Sequence, residues 1–322
     1  MMKRRKQFSH ILALLFSVSL AFGGLGGQRA GTSIYNFLKI DPSASSGGMG
    51  GAFTALKSDA SILHWNPAGT VQLQGTSVSF SHLDWFAGIG YEYFSISRNF
   101  GTWAFGMEIG ALHMDAMEIT TEYKPYGSGE YFSYADYYVG VNASRKMSDR
   151  FSFGVNARMV REEYLDLATT SIVMDLGTYY KTGFRDLSFA VALLNFGLPT
   201  GPAGGYETEE SSWREYETFS PPTTFHLGSA MTVYENDFLR LLTAVQLNHP
   251  VDNAETYTLG LQTNLFNTFD IRTSYTIGTD MPFSLGLGFS AERWNSGLKI
   301  DYAFRPHRYL GVVNQIQINY NF

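Results

Sequence analysis

From about residue 75 onward, apolar and polar residues alternate along the chain. Trp103, Phe105, Met107, Ile109 and Ala111 take every second place, with Gly106, Glu108 and Gly110 between them. Phe151, Phe153, Val155, Ala157 and Met159 repeat the pattern against Ser152, Gly154, Asn156 and Arg158. Phe269, Ile271, Tyr275 and Ile277 alternate with Asp270, Arg272, Ser274 and Thr276, and Leu298, Ile300, Tyr302 and Phe304 with Lys299, Asp301 and Arg305. A period of two over such lengths predicts strands with one greasy face and one wet or small face. The segments fall at 75–82, 88–98, 102–113, 131–146, 151–164, 170–181, 187–197, 223–234, 239–248, 255–265, 269–278, 283–292, 295–305 and 311–322. Most have the ~9–11 residues, or more, that a tilted strand needs to cross a bilayer. Soluble strands are commonly about half as long.

A soluble sandwich would alternate too, so the connections carry the decision. Residues 99–101, 147–150, 182–186, 235–238, 266–268 and 293–294 are short turns, whereas 114–130 and 198–222 are long. Short turns at one end and longer loops at the other is the arrangement of an outer-membrane barrel, with the short ends periplasmic. The sequence therefore predicts an all-β protein, a closed antiparallel transmembrane barrel of about 14 strands over 75–322. An even strand count places both termini on the periplasmic side of a bacterial outer membrane. In the last strand Ile316, Ile318, Tyr320 and Phe322 share one face, and the chain stops on the aromatic Phe322. Such an ending resembles the insertion signal read by the barrel-assembly machinery, so that machinery and outer-membrane lipid are expected partners.

Residues 28–74 break the alternation, and 47–69 break it most clearly. Gly47, Gly48, Gly50 and Gly51 allow sharp turns or close packing, Asp59 can cap a short helix through Ile62, Leu63 and Trp65, and Asn66-Pro67-Ala68-Gly69 reads as a one-turn knob. In that knob Asn is the N-cap, Pro takes the first helical position and Gly ends the turn left-handed. The alternatives are a surface loop and a segment folded into the barrel lumen as a plug. Behind a barrel the second is expected, with Gly48, Met49, Gly50, Gly51, Asp59, Trp65, Asn66, Pro67 and Gly69 as its motif.

Composition sharpens this picture. Of 322 residues 44% are hydrophobic and only 16% charged, with Gly 33, Tyr 20 and Phe 25, which suits strands and tight turns. Lys3-Arg4-Arg5-Lys6 followed by the apolar Phe8 to Phe22 reads as a signal peptide over 1–27. Its removal takes the formal net charge from −6 to −10, and an acidic mature chain gives no support for nucleic-acid binding. With no cysteine there is neither a thiolate metal site nor a disulfide.

The residues offer little for catalysis. No metal, phosphate-loop or nucleophile motif occurs, and Gly286-Leu287-Gly288-Phe289-Ser290-Ala291 lies inside an alternating strand rather than before a helix. His64 beside Trp65 is a lone histidine, and Glu162 and Glu163 point to opposite faces. No catalytic residue, cofactor or metal is expected, and the protein is read as a non-enzyme. The 198–222 loop is acidic, with Glu207, Glu209, Glu210, Glu215 and Glu217, and it carries Tyr206, Trp213, Tyr216 and Phe219. These aromatics supply contact area and mark a candidate partner loop.

Gly31-Thr32-Ser33, Phe37-Leu38, Gly48-Met49-Gly50-Gly51-Ala52-Phe53, Asp59-Ala60-Ser61 and Trp65-Asn66-Pro67-Ala68-Gly69, followed by Ser79-Phe80-Ser81-His82, Asp84-Trp85 and Tyr91, resemble the PorV/PorQ family of outer-membrane proteins. That family is itself similar to the FadL-type hydrocarbon transporters. The chain departs from it at 41–46, where an Arg is frequent, and at Thr70, where Leu is usual. The resemblance implies a fourteen-stranded barrel with a lumenal N-terminal hatch. It also implies a shuttle or adaptor role in type IX protein secretion, with exported cargo and secretion components as partners. The alternative is a FadL-like transporter of hydrophobic small molecules.

Overall fold

The computed structural model describes residues 30–322 except 166, 208–211 and 295. The expected signal peptide at 1–27 and its basic region lie outside the described residues, as do Glu209 and Glu210. Fourteen antiparallel strands close into a barrel in which each pairs with its neighbours in sequence and the last returns to the first. They are β1 (Thr76–Asp84), β2 (Ile89–Asn99), β3 (Trp103–Met114), β4 (Tyr134–Lys146), β5 (Phe151–Tyr164), β6 (Leu167–Lys181) and β7 (Ser188–Gly197). The second half comprises β8 (Thr224–Glu235), β9 (Leu239–Pro250), β10 (Thr256–Leu265), β11 (Phe269–Ile277), β12 (Phe283–Ser290), β13 (Leu298–His307) and β14 (Gly311–Asn321). Closure is made by β1 and β14, in register from Ser77 opposite Asn321 to Asp84 opposite Asn314.

The faces are inverted relative to a water-soluble protein. Outward-pointing Phe105, Leu287 and Ile318 are 50%, 59% and 47% exposed, whereas inward-pointing Arg158, Asp301 and Gln317 are at or below 1%. Large apolar side chains continuously exposed on one surface, over a polar interior, are what a barrel set in lipid requires. Among the described residues no helix is long and apolar enough to cross a membrane.

The turns after β2, β4, β6, β8, β10 and β12 gather at one end. At the other are two long connections, each with a two-stranded ribbon: Met117–Glu118 with Tyr131–Phe132, and Gly205–Glu207 with Trp213–Glu215. The connections after β1, β5, β9, β11 and β13 are short although they lie at this long-loop end, so the separation by length is less regular than the sequence implies.

The N-terminal segment runs from one mouth of the barrel to the other. At the long-loop end Ile34 N donates to Ser220 O (3.2 Å) and Lys39 Nζ meets Asp252 (2.7 Å). Next come a 3-10 turn (Asn36–Lys39), α1 (Ala44–Gly47), α2 (Ile62–Trp65) and a 3-10 helix (Pro67–Gln72). At the short-turn end Asn99 N donates to Gly75 O (2.9 Å) and Phe322 N to Thr76 O (2.9 Å). Residues 33–40 therefore lie at the long-loop end, and the start of β1 and the end of β14 at the short-turn end.

Candidate functional site

The site is the contact between residues 36–73 and the inward faces of the strands. The knob is built as its sequence suggests at its start: Asn66 is extended, its Oδ1 accepts from Ala68 N (3.0 Å), and Pro67 takes the first helical position. Asn66 Nδ2 then donates to Thr54 O (2.9 Å) and to Thr178 O of β6 (3.1 Å), tying the knob to its own segment and to the wall. Gly154 of β5 and Gly177 of β6 face one another across the ladder. A Cβ at Gly154 would fall on the Pro67 carbonyl, and one at Gly177 on the Asn66 side chain. This pair of missing side chains is the dent that receives the knob. The expected left-handed end at Gly69 is corrected: the 3-10 helix runs on to Gln72, and Gly69 has no side chain because Ile62 packs against it.

On the opposite wall Gly48 lies against Gly286 of β12, where a Cβ would approach to 2.8 Å of the facing Cα. Gly50 and Gly51 have φ of 63° and 82°, a left-handed path that other residues resist. The chain can thus double back so that Met49 reaches Gly260 of β10 and the Trp65 ring covers Gly51. Trp65 Nε1 donates to Ser46 Oγ (3.1 Å), and the ring stands 5.6 Å from that of His226.

Asp59 is a hub rather than the cap of α2. Its carboxylate accepts from Ser61 N (3.0 Å), the Ser61 hydroxyl, Ser45 Oγ (2.9 Å), Ser58 Oγ (2.8 Å) and Gln317 Nε2 (3.3 Å). Ser61 occupies the N-cap position without a side-chain bond, because its hydroxyl is turned to Asp59. Gln317 Oε1 in turn accepts from Ser45 N and Ser43 Oγ, both at 2.9 Å. One β14 side chain therefore holds both ends of the Ser43–Asp59 stretch.

Two ionic groups stiffen the walls. Arg158 of β5 lies 2.7 Å from Glu108 of β3 and 2.8 Å from Asp175 of β6, all at most 1% exposed. Arg272 of β11 lies 2.6 Å from Asp301 of β13 and 3.0 Å from Asp270, which Lys299 also approaches at 3.2 Å. Buried charges persist only when paired in this way. The alternation already places all of these residues but Asp175 on the wet face; it does not say which would meet. His64 is buried, edge-on to Trp65 and Tyr93, and burial followed by nearby Arg158 and His226 pushes its pKa well below the usual 6.5. Glu162 accepts from Tyr35 N (3.1 Å).

Between these walls lies an apolar strip. Met49, Ala52, Phe53, Leu56, Ile62 and Trp65 pack with Tyr179, Ala190, Ala230, Ala244 and Leu242 of β6 to β9. Below it a polar cavity of about 220 Å³ opens beside Leu56–Ser58, lined by Arg240, Gln262, Asn264, Asp270 and Lys299 among others.

The remaining candidates lie apart. Ile316, Ile318 and Tyr320 of β14 face outward with Phe322 at the chain end, and Tyr206 and Trp213 are exposed on the second ribbon, with Tyr216 5.8 Å from Tyr206 and Phe219 bonded to Thr200. Among the described residues no group of three or more His, Asp or Glu could hold a metal ion.

A model of an uncharacterised protein family, UPF0164, matches residues 25–189. No curated protein sequence matches the chain. Several solved structures share the barrel. The Ralstonia pickettii toluene transporter TbuX is 12% identical with a TM-score of 0.60, over 90% of this chain and 100% of that one. The CymD monoaromatic hydrocarbon channel is 14% identical with a TM-score of 0.57, over 90% and 99%. A Pseudomonas aeruginosa FadL homologue is 12% identical with a TM-score of 0.55, over 87% and 98%. At such identities the likeness is one of fold. It agrees with the FadL-type side of the sequence resemblance; the PorV/PorQ side finds no counterpart in these matches.

Proposed function

The chain belongs to the uncharacterised protein family UPF0164, whose description carries no activity, and we propose its function from the barrel itself: an outer-membrane passage for small hydrophobic molecules, held closed by residues 36–73 acting as its plug. The observation that carries this reading is the apolar strip along β6 to β9, covered in the closed form by the segment's Met49, Phe53 and Leu56. An apolar solute entering beside them would exchange one greasy contact for another, whereas the ionic and amide-lined walls elsewhere would have to be stripped of their partners. The solved barrels of the same fold include proteins described as a toluene transporter and a monoaromatic hydrocarbon channel, which supports the same class of cargo.

Uptake into vesicles tests the proposal. Protein reconstituted in liposomes should speed entry of a monoaromatic hydrocarbon such as toluene over protein-free liposomes. Ala190→Glu and Ala244→Glu, which put charge on the strip, should abolish the gain. Equal uptake with and without protein would defeat it.

A second reading, the shuttle of type IX secretion, is supported by the exposure of Tyr206 and Trp213, at 50% and 66%, on the long-loop ribbon. It expects affinity capture to recover exported cargo, and Tyr206→Ala with Trp213→Ala to lose it. Capture that survives both changes would remove the loop from that role.

A further inference from the structure

At the short-turn end of the outer face, two arginines stand over aromatic rings. Arg98 of β2 sits 5.3 Å from the centroid of the Phe100 ring, and Arg145 of β4 sits 5.1 Å from that of Trp103. Trp103 and Phe105 stack with an interplanar angle of 1°, and Phe100 leans on Phe105 at 6.1 Å, so the rings join the two guanidinium groups into one patch. The register agrees, with Arg98 opposite Phe105 and Trp103 opposite Arg145. Both arginines point outward, because their neighbours Ser97 and Ser144 are buried in the lumen.

The charge on these two groups is unanswered. Arg158, Arg161, Arg272, Arg305 and Arg308 each have a carboxylate partner, and among the described residues none pairs with Arg98 or Arg145. A guanidinium held over a ring by cation–π attraction keeps N–H donors free for an outside acceptor, and their fork fits phosphate. Tryptophan flanked by phenylalanine marks the level where acyl chains give way to headgroups. Charge complementarity then selects the occupant.

We propose that Arg98 and Arg145, braced by Phe100 and Trp103, bind the phosphate headgroup of an anionic phospholipid in the leaflet at the short-turn end of the barrel. This inference rests on the barrel spanning a membrane but not on what passes through it. The acyl chains of the lipid lie along Phe105, Met107 and Val141, which are about half exposed on the same face. A headgroup with net negative charge is favoured over a zwitterionic one because the two cations lack any other counter-charge.

The test is native mass spectrometry of the full chain, purified in detergent and offered equimolar phosphatidylglycerol and phosphatidylcholine with identical acyl chains. Wild type should retain phosphatidylglycerol with a preference on the order of tenfold. Arg98→Gln with Arg145→Gln should lower this to near parity, and Arg98→Lys with Arg145→Lys should fall between, since charge is kept and the fork is lost. Arg161→Gln, at the opposite end and tied to Glu163, should behave as wild type. Strand content by circular dichroism in vesicles checks that every variant still inserts; loss of insertion in wild type would defeat the membrane reading instead. With insertion intact, equal retention of the two lipids by wild type would overturn the proposal. An undiminished preference in the double glutamine variant, or displacement of the lipid by inorganic phosphate alone, would also overturn it.

Discussion

The two walls of the lumen hold one segment with a different balance of shape and bonding, although β5 and β6 also bond to it and Gly286 of β12 is itself a close approach. Along β5 and β6 the wall withdraws: Gly154 and Gly177 leave a dent, and Asn66 and Pro67 fill it. Along β11 to β14 the wall reaches inward, with Gln317 and Gln315 bonded to the segment and Arg272 braced behind by Asp301. A fit of shape fails abruptly when a methyl group is added, because a close-packed surface has nowhere to move. A web of hydrogen bonds fails by degrees, since water can replace each bond once the group is uncovered.

The contrast sets the order of effects. Gly154→Val with Gly177→Val should be the most damaging, because the new side chains occupy the space of Pro67 and Asn66. The segment should leave its seat, and a protease should then cut near Lys57 at least tenfold faster; cutting at the wild-type rate would mean the dent is not what seats the knob. Arg158→Met comes next. It leaves Glu108 and Asp175 buried without their cation, a loss of about 3–5 kcal/mol in unfolding free energy. Gln317→Leu, on the hydrogen-bonding wall, should cost about 1–3 kcal/mol, with urea-induced release of the segment, followed by Trp65 fluorescence, moving to lower denaturant. If Gln317→Leu proved more harmful than the paired valines, the assignment of shape to one wall and bonding to the other would be reversed.

Acidity gives the smallest effect. The folded pKa of His64 lies well below 6.5, so a released segment binds a proton that the docked one refuses. The contribution of His64 to docking is complete above about pH 6.5 and declines as pH falls below it, by at most about 1.4 kcal/mol per pH unit. His64→Gln should flatten this slope in the same urea titration.

How much of this was legible in the sequence follows from the range of each interaction. Side-chain alternation is local, so all fourteen strands could be read from it, and the inward parity of Glu108, Arg158, Arg272 and Asp301 came with them. The start of the knob was legible too, since Asn66 caps a turn two residues away. What depends on register was not. That Gly154 stands opposite Gly177, or that Arg158 draws on β3 and β6 at once, needs ladders set by distant strands. The course of the segment was equally hidden, because Lys39 finds Asp252 only through the closed barrel. The wider role of Asp59 is hidden for the same reason: its bond from Ser61 N needs only its neighbours, but its place as a hub needs Gln317.

Conductance across a planar bilayer tests the central claim most directly. Wild type should insert and stay closed, and a chain lacking residues 36–73 should form a steady open pore. A deleted barrel that inserts yet remains closed, or a wild type that conducts freely, would contradict the claim that this segment closes the lumen.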